Sequence, residues 1–266
     1  MAIFGTEPPT TPALEMRDVT VTSLKDQAKV VVEGVNWTVA PGDFWAVAGL
    51  LRSGKSDLMA LAAGIMRPAC GTYRLFGKEL IAGFEHERLE LRLRVGLVFD
   101  GGQLLHQLTL AENVALPLRY HLGAGSDIDQ RIADLIQFTG LEPWAESYPG
   151  DLTRNWQQRF GLARALALKP EVLLLDNPLT GLDPRDAGWW LETVESLAAG
   201  HSILEHRPVT LIVTGDDLRP WGRRARQFAI LKNRQFVPLG NRADLESHPD
   251  PLLQDLLAGI AKREAQ

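Results

Sequence analysis

Alternation of apolar and polar residues dominates the N-terminal part of the chain. In residues 15–22 and again in 30–39, apolar side chains recur at about every second position. Successive side chains of a strand point to opposite faces of a sheet, so this period is typical of half-buried strands. The two stretches are therefore predicted to form an antiparallel strand pair, and the turn at residues 41–43 leads into the next strand.

Short apolar runs alternate with helical patterns along the rest of the chain. Strands are predicted at residues 44–48, 71–76, 95–99, 172–175, 210–214 and 227–231. Helices are predicted at residues 57–63, 128–138 and 155–168, and a further helix is predicted after Pro184. Another helix is predicted to begin at a cap formed by Thr109, and Pro117 either kinks or ends it. Strands that alternate with helices indicate the α/β fold class.

The spacing of these elements predicts the domain organisation. Residues 14–250 are expected to form one domain, in which a helix-rich block at about residues 107–168 is an inserted helical subdomain. Residues 251–266 are predicted to form a C-terminal amphipathic helix. A chain of 266 residues with 45% hydrophobic and 23% charged residues can bury one sizeable core.

Cysteine content, charge and the length of apolar runs narrow the class of protein. Cys70 is the only cysteine, so an internal disulfide is excluded and a reducing compartment such as the cytoplasm is expected. No apolar run approaches the ~20 residues of a membrane-spanning helix, and the first residues do not resemble a secretion signal. The net charge of −5 argues against nucleic acid as a partner.

One segment carries a phosphate-binding motif. The run Gly49-Leu50-Leu51-Arg52-Ser53-Gly54-Lys55-Ser56 fits the pattern G-x-x-x-x-G-K-[ST] between a predicted strand and a predicted helix. In that context backbone N–H groups and the helix N-terminus face a phosphate, and Lys55 adds a positive charge. Ser56 is placed to ligate Mg²⁺. We therefore predict that this run, with Asp57 directly behind it, binds a nucleoside triphosphate.

A second part of a nucleotide site follows the apolar strand at residues 172–175. Asp176 stands at the end of that strand, where P-loop NTPases use a carboxylate to hold the Mg²⁺ that bridges the phosphates. A helix cap or a turn residue is the alternative role for an aspartate at this position. Beside a phosphate loop, the metal role is favoured.

Several motifs, in their order and spacing, resemble those of the nucleotide-binding subunits of ABC transporters over nearly the whole chain. They are the phosphate loop and the segments at residues 64–71, 108–114, 157–166 and 179–184. The resemblance implies a P-loop NTPase fold, with a RecA-like core, an antiparallel β subdomain and an inserted helical subdomain. Residues 113–121 are also similar to the corresponding part of Mla-type lipid-transport ATP-binding subunits.

The same resemblance implies partners and cofactors. Members of the family sandwich ATP, with Mg²⁺, between two such subunits, so a second ABC-type subunit is expected, either a copy of this chain or a different one. The helical subdomain is expected to dock on a membrane permease. The protein would then lie at the inner face of the membrane through its partners.

Positions that carry the family's functional groups are occupied by other residues. Asn177 stands where the family has its catalytic glutamate, and an amide cannot accept a proton from the attacking water. Gly215 stands where a switch histidine is expected and cannot orient that water. Asp100 replaces the glutamine that senses γ-phosphate and Mg²⁺; a carboxylate there could ligate metal but repels phosphate. Arg52 replaces a customary glycine, and Asp57 a customary hydroxyl residue.

The segment that faces the opposite subunit's ATP is altered as well. The family signature L-S-G-G-Q reads Leu152-Thr153-Arg154-Asn155-Trp156. Glycines let a helix N-terminus approach ATP closely, and the bulkier residues at both glycine positions obstruct that approach. Trp156 is expected to be exposed in a single subunit. The aromatic residue that stacks on adenine is expected near Ser23 or Leu24, and neither can stack.

These substitutions predict an ATP-binding subunit of a membrane transport complex with a nucleotide-binding or regulatory role and little or no hydrolysis of its own. Loss of a positioned general base costs on the order of 10²–10⁴ in rate. One alternative is a working ATPase that uses substitutes such as Asp100 and residues of a partner. Another alternative is a soluble protein that retains the fold in order to interact with other proteins and that barely binds nucleotide.

Overall fold

A computed structural model describes residues 11–80 and 85–247 of the chain. Its strands are β1 (Leu14–Thr22), β2 (Val30–Val39), β3 (Phe44–Gly49), β4 (Cys70–Leu75), β5 (Lys78–Glu79), β6 (Val95–Val98), β7 (Val172–Leu175), β8 (Thr210–Gly215), β9 (Gln227–Lys232) and β10 (Gln235–Gly240). Its helices are α1 (Lys55–Ala62), α2 (Glu85–Leu93), α3 (Leu110–Leu122), α4 (Ser126–Thr139), α5 (Arg154–Leu166), α6 (Pro184–Ala199) and α7 (Arg242–Ser247). The strands follow one another in the order β5-β4-β1-β2-β10-β9-β3-β8-β7-β6.

The first strands build an antiparallel part of the sheet. β1 pairs in antiparallel orientation with β2 and with β4, which confirms the predicted strand pair. Trp37 of β2 is buried against Trp45 of β3 and Phe236 of β10, with ring centroids 5.7 and 5.0 Å apart. These aromatic contacts join the antiparallel part to the centre of the sheet.

The centre of the sheet is parallel and is covered on both faces. β3 pairs in parallel with β8 and β9, and β7 pairs in parallel with β6 and β8. Within β3, Phe44 and Ala48 pack into one hydrophobic core, and Trp45 and Val47 pack into the other. Burial on both faces explains why Val172–Leu175 is apolar throughout. The carboxyl ends of the parallel strands meet at one edge, where α/β folds bind their ligands.

Helices α3, α4 and α5 pack on one another and form the predicted helical block. Thr109 caps α3 in a reciprocal capping box with Glu112, as the sequence predicts. Pro117 does not end the helix, because α3 continues to Leu122. The boundaries of this subdomain, at about residues 107–168, stay a prediction.

The sequence patterns do not predict α2, β5, β10 or α7. Helix α2 consists mostly of charged residues, and its three leucines, at residues 89, 91 and 93, recur at every second position as in a strand. Strand β10 contains Pro238, and proline argues against a strand because it cannot donate to the ladder. The amphipathic helix predicted at residues 251–266 lies outside the described residues. Among the described residues, no helix combines the length and the apolar character that crossing a bilayer requires.

Candidate nucleotide-binding site

The predicted phosphate loop joins β3 to α1 at the carboxyl edge of the parallel strands. Gly54 precedes α1 with a φ of 94°, and a Cβ there would lie 2.9 Å from Cγ2 of Val32. This conformation and this contact both require glycine. The Ser53 hydroxyl is buried and makes no hydrogen bond within the described part of the chain. An unsatisfied hydroxyl inside such a loop suits an anionic ligand.

Lys55 lies folded into the loop at the start of α1. Its side chain is buried, and Nζ donates to the backbone oxygens of Gly49 at 2.6 Å and Leu50 at 3.0 Å. A buried ammonium needs partners, and both of these are neutral carbonyls of the loop itself. A phosphate group in the loop would give this cation its anionic partner.

Three carboxylates are close enough to Lys55 to act on its charge. Burial lowers the pKa of Lys55, and the charges of Asp216, Asp176 and Asp100 raise it. Asp216 is the one that sequence reasoning missed. Its position directly after β8, at the edge where the phosphate loop lies, is the signal that could have identified it.

Arg52 occupies a backbone conformation that favours glycine. Its φ is 64°, in the left-handed region, and a residue with a Cβ adopts that region at a cost of roughly 1–2 kcal/mol. A glycine at this position would avoid the cost. The phosphate loop of this chain is therefore strained at Arg52.

Replacing Arg52 with glycine is expected to raise the free energy of unfolding by roughly 1 kcal/mol, because the relief of strain outweighs the added freedom of the unfolded chain. Leu51→Gly is the matched control, since Leu51 is adjacent, exposed and free of positive φ. It should lower stability by roughly 0.5–1 kcal/mol. Urea unfolding measures both variants. Equal losses of stability in the two would contradict strain at Arg52.

Asp176 is held in a network of hydroxyl groups at the end of β7. It is 1% exposed, and its Oδ1 accepts a hydrogen bond from Thr214 Oγ1 at 2.7 Å. Burial raises the pKa of Asp176, whereas hydrogen bonds from Ser56 and Thr214 lower it. Thr214 also accepts from the backbone N–H of Asn177 at 3.0 Å. Sequence reasoning missed Thr214, which fixes the orientation of the Asp176 carboxylate.

The oxygens around Asp176 fit a Mg²⁺ ion. The Ser56 hydroxyl lies close enough to Asp176 to lower the pKa of its carboxyl, and hydroxyl and carboxylate oxygens are the hard ligands that Mg²⁺ prefers. Within residues 11–80 and 85–247, no group of three or more His, Cys, Asp or Glu side chains is arranged to hold a metal ion. The protein would therefore supply few ligands, and phosphate oxygens and water the rest, as is usual for Mg²⁺.

Asn177 and Gly215, where the resemblance predicts a catalytic glutamate and a switch histidine, lie beside this network. Asn177 has a φ of 48°, and its side-chain Nδ2 lies 3.4 Å from Oδ1 of Asp176. At Gly215 a Cβ would meet its nearest neighbour, the backbone oxygen of Asp217, at 3.5 Å. That is an ordinary contact, so packing does not explain the absence of a side chain at Gly215.

Arg154, the third residue of the altered signature segment, contacts the loop that follows β6. Its guanidinium forms an ion pair with Asp100 of the same chain. A Cβ on the intervening Gly101 would lie 3.2 Å from Nε of Arg154, so the arginine covers this part of the loop. Two residues that the sequence singled out as departures from the resemblance, Asp100 and Arg154, thus lie against each other. Metal ligation by Asp100 and contact of Arg154 with a second subunit stay predictions.

Asn155 points into the chain and joins α5 to α6. Its Nδ2 donates to Oδ2 of Asp186 at 2.5 Å, and its Oδ1 accepts from the indole N–H of buried Trp190 at 3.2 Å. Asp186 also accepts from Arg159 at 2.7 Å, and the Arg159 guanidinium lies 4.0 Å from the ring of Trp189. The residue at the second glycine position therefore supports the packing of two helices.

The expectation that Trp156 is exposed in a single subunit is wrong. Its side chain is half-buried and packs edge-on against Trp144 of the same chain, with ring centroids 5.1 Å apart. The short 3-10 turn that carries Trp144 covers the start of α5, so the indole finds an aromatic partner without a second subunit. Thr153 is exposed at the N-terminus of α5.

The segment at residues 23–24, which is expected to face adenine, is hydrogen-bonded to the helix that follows the phosphate loop. The backbone N–H of Leu24 donates to Oδ1 of Asp57 at 2.6 Å. The N–H of Ser23 bonds to the oxygen of Lys29, and the N–H of Lys25 bonds to the Ser23 hydroxyl. Asp57 therefore positions this segment. Direct contact of Asp57 with nucleotide stays a prediction.

Comparison with known proteins identifies related sequences and a matching fold. A family model described as ABC transporter matches residues 32–180, more than half of the chain. The methionine import ATP-binding protein MetN of Carboxydothermus hydrogenoformans is 29% identical over 88% of this chain and 68% of that protein. The corresponding protein of Cereibacter sphaeroides is 34% identical over 84% of this chain and 62% of that protein. The chain thus spans about two thirds of the length of these relatives.

Solved structures agree with the sequence matches. A dimeric ATP-binding cassette in a post-hydrolysis state, bound to ADP and Pi, is 25% identical with a TM-score of 0.73, covering 84% of this chain and 95% of that chain. This similarity confirms the predicted fold class, a P-loop NTPase core with an antiparallel β subdomain and an inserted helical subdomain.

Proposed function

Because this chain belongs to the ABC transporter family of ATP-binding proteins, we propose that it is an ATP-binding subunit whose own site binds Mg·ATP but hydrolyses it little or not at all. Its role in the transport complex is then regulatory or structural. The proposal also assigns ATP to the loop from Gly49 to Ser56 and Mg²⁺ to Ser56 and Asp176.

One observation carries this proposal. The phosphate- and metal-binding groups are assembled around Lys55 and Asp176, while the adjacent positions of the proton acceptor and of the switch are Asn177 and Gly215. ATP binding needs only the groups around Lys55 and Asp176, whereas hydrolysis also needs a base that takes a proton from water. When bound, Mg²⁺ would neutralise charge on the phosphates. The residues of this chain would hold the triphosphate in place without activating water.

The surface beside the loop supports a second ABC-type subunit as a partner. Leu50 and Leu51 are 37% and 88% exposed at the tip of the phosphate loop. Apolar side chains exposed next to a polar site are typical of a surface that another protein covers. The solved relative is itself a dimer. Whether the second subunit is identical to this chain depends on the complex.

A groove on the helical subdomain supports a permease as the other partner. It encloses about 440 Å³ between α2, β6, α3 and α5. Its rim includes Leu116, which is 43% exposed, and Tyr120, which is 79% exposed. Exposed Tyr and Leu around a pocket suit an inserted element of a partner protein. The relatives are named for methionine import, which favours an import complex; lipid transport, suggested by residues 113–121, stays a prediction.

A working ATPase is the alternative function, with Asp100 as a substitute base. The ion pair with Arg154 disfavours it, because the guanidinium occupies the carboxylate that would have to accept a proton from water. The surroundings of Asp100 therefore favour the binding role.

Phosphate release by purified protein with Mg·ATP tests the proposal. We expect no release above that of a Lys55→Ala control, whether the chain is alone or at concentrations that favour a homodimer. Bound ATP should nevertheless be detected by calorimetry at millimolar nucleotide. Robust phosphate release that Lys55→Ala eliminates would show a working ATPase, and absence of ATP binding would favour an interaction protein that only retains the fold.

A further inference from the structure

Arg154 and Asp100 introduce opposite charges at positions where the family signature and the sensor residue are uncharged. They lie in different elements, α5 and the loop after β6, and their side chains form an ion pair within one chain. The Arg154 side chain is 65% exposed and the Asp100 side chain 30% exposed, so the arginine covers the carboxylate from the solvent side.

The loop that carries Asp100 is fixed on α5 along its length. Arg164 donates to the backbone oxygens of Gly102 at 2.8 Å and Gln103 at 3.1 Å. A Cβ on Gly161 of α5 would lie 2.9 Å from Cα of Gly102, so the two backbones are in direct contact. Asp100 and Arg154 are therefore held together by their surroundings and do not depend on the ion pair alone.

Asp100 also acts on the nucleotide site. It follows Val98 of β6 by two residues, and the backbone oxygen of Val98 accepts from the N–H of Asp176 at 2.9 Å. Burial lowers the pKa of Lys55 and raises that of Asp176; the negative charge of Asp100 opposes the first shift and adds to the second. A triphosphate in the loop carries several negative charges and would meet this carboxylate as a like charge. Without a compensating cation, Asp100 would oppose the binding that Lys55 favours.

We propose that Arg154 is a positioning residue of its own chain's nucleotide site, where it neutralises Asp100 so that the loop accepts a triphosphate. This inference rests on the proposed nucleotide-binding function and assigns the arginine of the signature segment a role within its own subunit. Arg154 is then needed for ATP binding only while Asp100 is present.

A double-mutant cycle measured by calorimetry with ATP, with and without Mg²⁺, tests this dependence. Arg154→Ala should weaken ATP binding about tenfold, because one unit charge close to the phosphates becomes uncompensated. The loss should be larger without Mg²⁺ and smaller for ADP, which carries less charge. Asp100→Asn should raise affinity, because it removes the opposing carboxylate and leaves the charge of Arg154 unpaired. The double variant should bind ATP as the native chain does, and Arg154→Lys should retain most of the affinity.

The matched control is Arg119→Ala, which removes an arginine from another exposed ion pair, with Asp129 on the helical subdomain. It should not change ATP affinity. Thermal unfolding of every variant separates effects on binding from effects on folding, and Asp100→Asn remains informative if Arg154→Ala is unstable.

Three results would overturn the inference. Native affinity in Arg154→Ala shows that Asp100 needs no compensation, and clearly weakened binding in Asp100→Asn gives this carboxylate a favourable role. The same loss on removing Arg154 with or without Asp100 shows that the arginine contacts phosphate directly. If neither the native chain nor any variant binds ATP, the proposed function itself fails, and this inference fails with it.

Discussion

Lys55→Ala is expected to abolish ATP binding at millimolar nucleotide. The substitution removes the buried cation of the phosphate loop, and hydrogen bonds to a charged group contribute about 1.5–3 kcal/mol each. The carboxylates of Asp216, Asp176 and Asp100 around this position would then face the phosphates without the ammonium that offsets them. Isothermal calorimetry with ATP and Mg²⁺ measures the loss.

Lys78→Ala serves as the control for Lys55→Ala. Lys78 is exposed on the short strand β5, and its removal changes the net charge of the chain by the same amount. We expect native ATP affinity in this variant. If both variants lose affinity equally, net charge governs binding; if Lys55→Ala binds normally, the phosphate-loop interpretation is wrong.

ATP turnover is expected only when the proton acceptor, the switch residue and the signature are restored together. The native chain should remain at background, and Asn177→Glu alone should give at most marginal turnover, since Gly215 leaves the water unoriented. Its backbone also resists the change: residue 177 has a φ of 48°, a conformation that asparagine tolerates better than glutamate. Gly215→His, by contrast, has room for its Cβ. Groups that act as a unit do not contribute additively, so partial repair recovers little of the rate.

The fully repaired variant combines Asn177→Glu and Gly215→His with a Ser-Gly-Gly signature at residues 153–155. It should also carry Asp100→Gln, because Arg154→Gly would leave Asp100 unpaired. Relative to Asn177→Glu alone, we expect a gain on the order of 10²–10⁴ in phosphate release. The same variant with Lys55→Ala should be inactive. Full activity from Asn177→Glu alone would contradict a site that lacks several cooperating groups.

The strands and helices that the sequence predicts are those with a clear apolar period or an apolar run. β1 and β2 alternate, β7 is entirely apolar, and α3 begins at a capping box, so local sequence was sufficient. Helix α2 was missed because its leucines recur at every second position, and strand β10 because it contains a proline; tertiary context overrides both local signals.

For the site, the sequence predicted the loop, Asp176 and the positions that depart from the family motifs, because each belongs to a motif along the chain. It could not show which side chains meet. The ion pair between Asp100 and Arg154 depends on how the loop after β6 packs on α5. The orientation of Asp176 by Thr214 depends on β7 and β8 being neighbours in the sheet. Such contacts depend on the tertiary structure and cannot be recognised from the spacing of residues along the chain.

The contacts of Asn155 make a glycine at this position costly. Asn155→Gly would leave the N–H of Trp190 without its acceptor in the core and would deprive Asp186 of one donor. An unsatisfied buried group costs about 1–3 kcal/mol, a large share of the ~5–15 kcal/mol that holds a typical domain together. A glycine would therefore be tolerated only after compensating changes around Trp190, so the order of mutations decides which sequences this segment can reach.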